Sequence, residues 1–503
     1  MKTTKLFFMA ALALMTAACS NDDNDLTQQP AKAEGIPFTA TISIGESGTT
    51  RALSESGSTL VATWATGEKV ALIYTVSATT YVKEAEVTPQ GDGTATISTT
   101  LEGSPADDTD VTIVYPASAV DGTTKDVKTN LLASQNGLLT GTGSIAEKYE
   151  LRKTTTPAKL KIDGTTASLK GTVSLTNQFA IWKLTLDKTA KDLYITAGGE
   201  LIAGATLASP GTEFYVAVPA VDSKTVAVVA TDGSSNCWSY SKASVSLTAG
   251  SYYRSSPTMT ALGTESSADV YKMTGAGTIP AGKTVVLSGV TISGDQIACS
   301  GNANIILMGT NSVTAGVGKA AIKIGGSGTT LTITGSGSLT ATGGSGGAGI
   351  GTDEVNSGTL SGGNIVINGG TVTATGGRYG AGIGTGRTNN ASNTCGDITI
   401  NGGTVIAQGA NGGAGIGTGL SSMSSASNTC GAITIGTGVI SVTAKKSSSN
   451  PGPNSIGIGR VSSNGTQACG TITIGGTIYW DGSDYQNGGE TYLVNDITYP
   501  TAP

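Results

Sequence analysis

The phrase Ala348-Gly349-Ile350-Gly351-Thr352 returns as Ala381-Gly382-Ile383-Gly384-Thr385 and again as Ala414-Gly415-Ile416-Gly417-Thr418, each time 33 residues on. A looser copy, Ile456-Gly457-Ile458-Gly459, follows after 42 residues. Behind each copy comes a run of the type Asp397-Ile398-Thr399-Ile400, then a glycine turn, then a third run such as Thr404-Val405-Ile406-Ala407-Gln408. A unit of three short β-forming runs with glycine corners buries too little surface to stand alone, so its copies must stack. The period predicts a parallel β-helix over 270–503, with coils paired at about 4.8 Å and Ile and Val laddered inside. Degenerate coils around 285–292, 305–313 and 331–342 extend it toward the N-terminal half.

Smaller features obey the same period. Cys395, Cys430 and Cys469 each precede a glycine and an Ile-Thr-Ile type strand, so they are expected on successive coils. A ladder of buried thiols and a disulfide within it both fit, while Cys237 and Cys299 show no pairing logic. The insertions 385–394 and 418–429 share the phrase Ala-Ser-Asn-Thr-Cys, ending at Cys395 and Cys430, and ligand binding is expected on such projections. Aromatic candidates for ligand contact are Tyr379 in the repeats and Trp480 and Tyr485 near the last coil. The latter two, with Tyr479, fit a cap over the open end equally well.

The N-terminal half is built differently. Lys2 and Lys5 precede the apolar run 6–15, and small residues end at Ala17-Ala18-Cys19, which reads as a lipoprotein signal peptide over 1–18 with Cys19 as the acylated residue. An acidic tether, 19–35, follows. From 36 to 262 short alternating runs are separated by Gly, Pro, Asp and Ser turns, and none carries a capped helical period. With 74 glycines and only 13% charged residues, the fold class is all-β: two β-sandwich domains, 36–165 and 166–262, ahead of the solenoid.

Short motifs in this half occur in a telling order. Phe38-Thr39-Ala40-Thr41-Ile42, Thr50-Arg51-Ala52 and Trp64-Ala65-Thr66-Gly67-Glu68 are followed by Val114-Tyr115-Pro116, Gln135, Phe179-Ala180-Ile181-Trp182, Phe214-Tyr215-Val216 and Leu247-Thr248-Ala249-Gly250. Residues 36–262 thereby resemble the fimbrillin family of Bacteroidota surface lipoproteins. The resemblance implies that Arg51 stands where pilus-forming members are cleaved to free a strand-accepting groove. A lone loop arginine is the other reading of Arg51. The repeat half is similar to solenoid modules called carbohydrate-binding, and the solenoid at the C-terminal end favours a terminal or accessory subunit over a repeating one.

Several function classes drop out. The chain has no histidine, the commonest general base and a frequent metal ligand. Its formal charge is -6 with no basic cluster, which argues against nucleic acid. Between 345 and 475 the carboxylates are only Asp353, Glu354 and Asp397, too few for a calcium-dependent polysaccharide lyase to be more than a remote alternative. No catalytic residue, metal set or cofactor is assigned. The expectation is a non-enzymatic, lipid-anchored outer-membrane protein exposed on the surface. It would act in adhesion, with fimbrial subunits or a glycan or host-surface ligand as partners; polysaccharide capture is the alternative.

Overall fold

The computed structural model describes residues 35–44, 53–56, 59–91, 93–122, 124–127, 132–234, 236–389, 392–422, 427–446, 454–461, 467–480 and 497–500. Cys19, Arg51 and Tyr485 lie outside them. The chain is all-β, in two N-terminal modules and a parallel β-helix.

Alternation makes the first module. Strand Ile36–Ser43 turns Phe38, Ala40 and Ile42 inward and its threonines outward, and it pairs antiparallel with Thr94–Leu101 along its whole length. Its other edge meets Thr166–Leu169 and Val173–Ser174. Strands continue through Ala158–Asp163, which pairs back onto Asp110–Tyr115, so the two layers join into a closed ring. The Trp-x-x-Gly-Glu turn is held from inside. Trp64 meets Tyr115 edge to face at 5.2 Å, and Glu68 accepts from the Tyr115 hydroxyl at 2.7 Å and the Ala65 amide at 2.9 Å.

The first module also runs further than the sequence suggests. Gly164, with φ of 61°, closes a hairpin between Ala158–Asp163 and Thr166–Leu169 rather than a boundary. Residues through Asn177 pair within this module, and the second begins with strand Ala180–Ala197. That strand touches three others: Glu200–Val218 and Val221–Thr231 antiparallel, and Tyr252–Ser255 parallel. The modules are sewn together at two points. The buried Gln135 amide donates to Ala217 O at 2.7 Å and accepts from Ala217 N at 2.8 Å. Glu55, in the hairpin Ser54–Ser56/Thr59–Val61, reaches Lys183, Tyr215 and Tyr252 of the second module at 2.7, 2.8 and 2.5 Å.

In the solenoid, three long parallel sheets run the length of the stack. One carries the Ile-Thr-Ile type strands, with Ile365, Ile398, Ile433 and Ile472 in register. The second holds the two-residue Ile-Gly strands, and the third the Thr-rich strands such as Thr371–Thr375. The looser copy falls into place by shifting: Ile456-Gly457 pairs with Ile416-Gly417, 40 residues apart rather than 42, because register follows the inward isoleucine. A fourth, shorter sheet carries the cysteines; Cys395, Cys430 and Cys469 are in register, buried and free. Neighbouring thiols and burial hold the Cys430 thiol well above its usual range. The Asn-Thr-Cys part of the shared phrase, Asn393–Cys395 and Asn428–Cys430, belongs to this ladder and not to a projection. Asn393 and Asn428 are fully buried, and each donates to one carbonyl of its own coil, Gly386 or Gly419, and to one of the next, Gly419 or Gly459.

The second module docks on the flank of the first coils. Tyr194, Val229 and Cys237 pack against Val286, Ile306 and Met308, which face outward from the Ile-Thr-Ile sheet. Later coils carry Thr399, Thr434 and Thr473 on that sheet. Polar bonds frame the contact: Ser336 Oγ donates to the buried Asp192 at 2.7 Å, and Thr284 Oγ1 to Gly199 O at 2.7 Å. Ile306→Asp places an unpaired charge in this seam and is expected to cost about 2 kcal/mol or more. The expected readout is faster proteolysis between 263 and 269, with the modules melting separately; unchanged proteolysis and one transition would show that the seam does not couple them.

Candidate functional site

Four consecutive coils enter the sheet of the Ile-Gly strands four residues after a corner with a left-handed backbone. Gly318, Gly346 and Gly412 occupy this station with φ of 77°, 90° and 115°. Their equivalence is fixed by backbone bonds: the carbonyls of Gly318, Gly346, residue 379 and Gly412 accept from the amides of Glu354, Arg387, Leu420 and Arg460. At position 379 the residue is tyrosine, with φ of 75°. Glycine takes such a conformation freely, whereas a bulky side chain there is strained. A side chain added at Gly346 or Gly412 would run into Glu354 or Leu420, so the direction from this station leads onto the 354/387/420/460 column.

Tyr379 is half-buried, and guanidiniums lie over its ring: Arg378 at 4.7 Å and Arg387 at 4.8 Å. Arg387 also reaches Glu354 at 3.3 Å, and Glu354 accepts from Asn389 at 3.2 Å. Arg387 Nε is closed from solvent and has no hydrogen-bond partner. Arg378 is exposed, and none of the described carboxylates pairs with it. Beside the cluster runs a polar row: Asn389 donates to Asn356, and Ser422 bonds the Asn389 carbonyl and side chain at 3.2 Å.

The other sequence candidates separate from this cluster. Strand Thr477–Trp480 folds back antiparallel on Ile472–Ile474, and Trp480 packs on the end of the core, its indole donating to Cys469 O at 3.2 Å. That is the geometry of a cap. Tyr479 is exposed on its outer side. Asp353 is tied to Lys323 at 2.8 Å and the Ala320 amide at 2.8 Å, and Glu354 to Arg387, so each carboxylate already has a cation. Among the described residues no group of three His, Cys, Asp or Glu could hold a metal ion, and no helix is long and apolar enough to cross a membrane. A crevice of about 1060 Å³ opens between the modules and the solenoid, lined in part by Ser134, Tyr149, Asn368 and Asn401. Its amides are spent on one another, Asn401 donating to Asn368 at 3.0 Å and Ser134 to the Asn368 carbonyl at 3.1 Å, which makes it the weaker candidate.

Sequence reasoning picked out Tyr379 as an aromatic but missed both arginines. Aligning the repeats on their corners would have shown a tyrosine in a glycine column, and Arg387 in line with Glu354, Leu420 and Arg460.

The coils match the beta helix repeat. The family model covers residues 331–353, 365–387 and 398–420, the last two of which include the corner at 379 and the glycine corner after it. A comparison with curated proteins found no match. Among solved structures the chain is similar to a fimbrial protein from Bacteroides ovatus ATCC 8483, at 12% identity, TM-score 0.26, 44% of this chain and 48% of that one. It thus spans about half the length of that protein. A candidate cell adhesion protein from Bacteroides uniformis ATCC 8492 is similar at 15% identity, TM-score 0.27, 45% of this chain and 93% of that one. Another, from Bacteroides eggerthii DSM 20697, is similar at 12% identity, TM-score 0.22, 43% and 78%.

Proposed function

We propose that this chain is a non-catalytic adhesive protein of the bacterial surface, in which the β-helix presents the corner at Tyr379 to a ligand outside the cell. The carrying observation is that tyrosine stands, with a left-handed backbone, where Gly318, Gly346 and Gly412 fill the same station. A left-handed tyrosine kept at one coil of a repeat is not a folding requirement, since Gly346 and Gly412 fill the same station in the adjoining coils; it is the signature of a selected contact. The finer parts of the reading rest on the sequence: lipid attachment at Cys19, outer-membrane display, and a tip or accessory place in a fimbrium.

The test is capture of the full chain by a panel of host glycoproteins, matrix proteins and polysaccharides, repeated with Tyr379→Gly. Saturable binding to a panel member that weakens at least tenfold in the variant is expected. Binding that the variant keeps would move the site elsewhere, and no saturable binding to any member would remove the adhesive reading in favour of a structural one.

A further inference from the structure

We infer that the corner at Tyr379 takes a carboxylate-bearing polysaccharide, an inference that rests on the ligand contact proposed above. A neutral sugar that stacks on tyrosine needs an uncommitted ring face, and this ring already carries two guanidiniums within 5 Å, at 4.7 and 4.8 Å. What the cluster offers is cations held in place by a ring. Guanidinium presents a planar fork of donors that matches a carboxylate, and Arg378 holds that fork in solvent with no described carboxylate of its own. Arg387 stands behind it, with a single ion pair to Glu354 at 3.3 Å.

Two local costs coincide here: the left-handed tyrosine and the unpartnered Arg387 Nε. Arg460, exposed, is a second arginine of the 354/387/420/460 column, beyond Leu420. Over the whole solenoid, 270–503, the chain carries nine Lys and Arg against eight Asp and Glu, so the attraction for an anion is local to these arginines. The hydroxyl-rich part of such a ligand has partners too. The row Asn356, Asn389 and Ser422 crosses successive coils beside the arginines, parallel to the stack, as a linear polymer would lie.

The experiment is calorimetric titration of the full chain with polygalacturonate, dextran sulfate, neutral dextran and polyglutamate. Saturable binding of polygalacturonate is expected, and raising salt until the screening length falls below about 8 Å should weaken it. Arg378→Ala, which removes an exposed side chain, should lower affinity about 10- to 100-fold. Tyr379→Gly should lower it similarly without lowering the melting temperature, since glycine fills this station in the adjoining coils. Equal binding of dextran sulfate would overturn the choice of carboxylate, and equal binding of polyglutamate the choice of saccharide. Unchanged affinity in Arg378→Ala would overturn the site. Neutral dextran bound and lost in Tyr379→Gly would defeat this inference while sparing the adhesive reading; no polymer bound, together with an empty capture panel, would defeat both.

Discussion

Gly384→Ala should destabilise the solenoid by about 4 kcal/mol, one of the two largest effects expected here from a single side chain. The added methyl would lie 1.7 Å from the carbonyl oxygen of Gly417 on the next coil, and the backbone there has φ of 134°. Neither term can relax cheaply. The oxygen belongs to backbone, and the same contact recurs on either side, Gly351 against Gly384 at 1.6 Å and Gly417 against Gly457 at 1.7 Å. To admit the methyl, coils locked at about 4.8 Å by continuous pairing would have to part. Gly358→Ala is the control: its φ is 86° but the space around it is open, so only the conformational term of about 1 kcal/mol remains. Urea unfolding of the two variants separates the terms, and equal losses would show that contact between coils does not set the spacing.

The second large effect is a response to acid. Bonds from Lys183, then Tyr252 and Tyr215, hold the Glu55 carboxyl down from 4.5 to about 2. The same carboxylate holds Lys183 above its usual range. A carboxyl depressed by folding contributes stability that is whole above pH 4.5, the unfolded value, and is lost as pH falls toward 2. The difference corresponds to about 3 kcal/mol. Glu55→Gln should therefore be less stable than the parent near neutral pH, and the gap should close on acidification. Asp107, Asp187 and Asp295, also held below the usual carboxylate range, titrate in both proteins and cancel from the comparison. Parallel stability curves from neutral pH down to the acid limit would mean that the hairpin at Glu55 does not couple the first module to the second.

How legible these features were follows from how each is encoded. The β-helix was readable because its interior repeats in the chain: Ile365, Ile398 and Ile433 recur with their glycines, and a ladder needs the same residue at the same place in every coil. The cysteine ladder was readable for that reason, whereas its redox state was not. Junctions between modules left no such trace. Glu55 meets Lys183 across 128 residues, and Asp192 meets Ser336 across 144, pairs that no local pattern announces. Ile306 and Met308 read as interior, and buried they are, though on the outside of their coil under another module. The hairpin at Gly164 looked like a boundary because a tight turn and a linker begin with the same residues. At the candidate site the tyrosine was visible, but Arg387 joins it only through coil geometry.

The corner station occupied by Gly318, Gly346, Tyr379 and Gly412 makes the solenoid a graduated scale. These four coils offer the same socket, and a side chain there is what distinguishes a marked graduation from a blank one. Exchanging corner sequences between adjoining coils would slide the mark along the axis by one division, about 4.8 Å, while leaving the core ladders as they are.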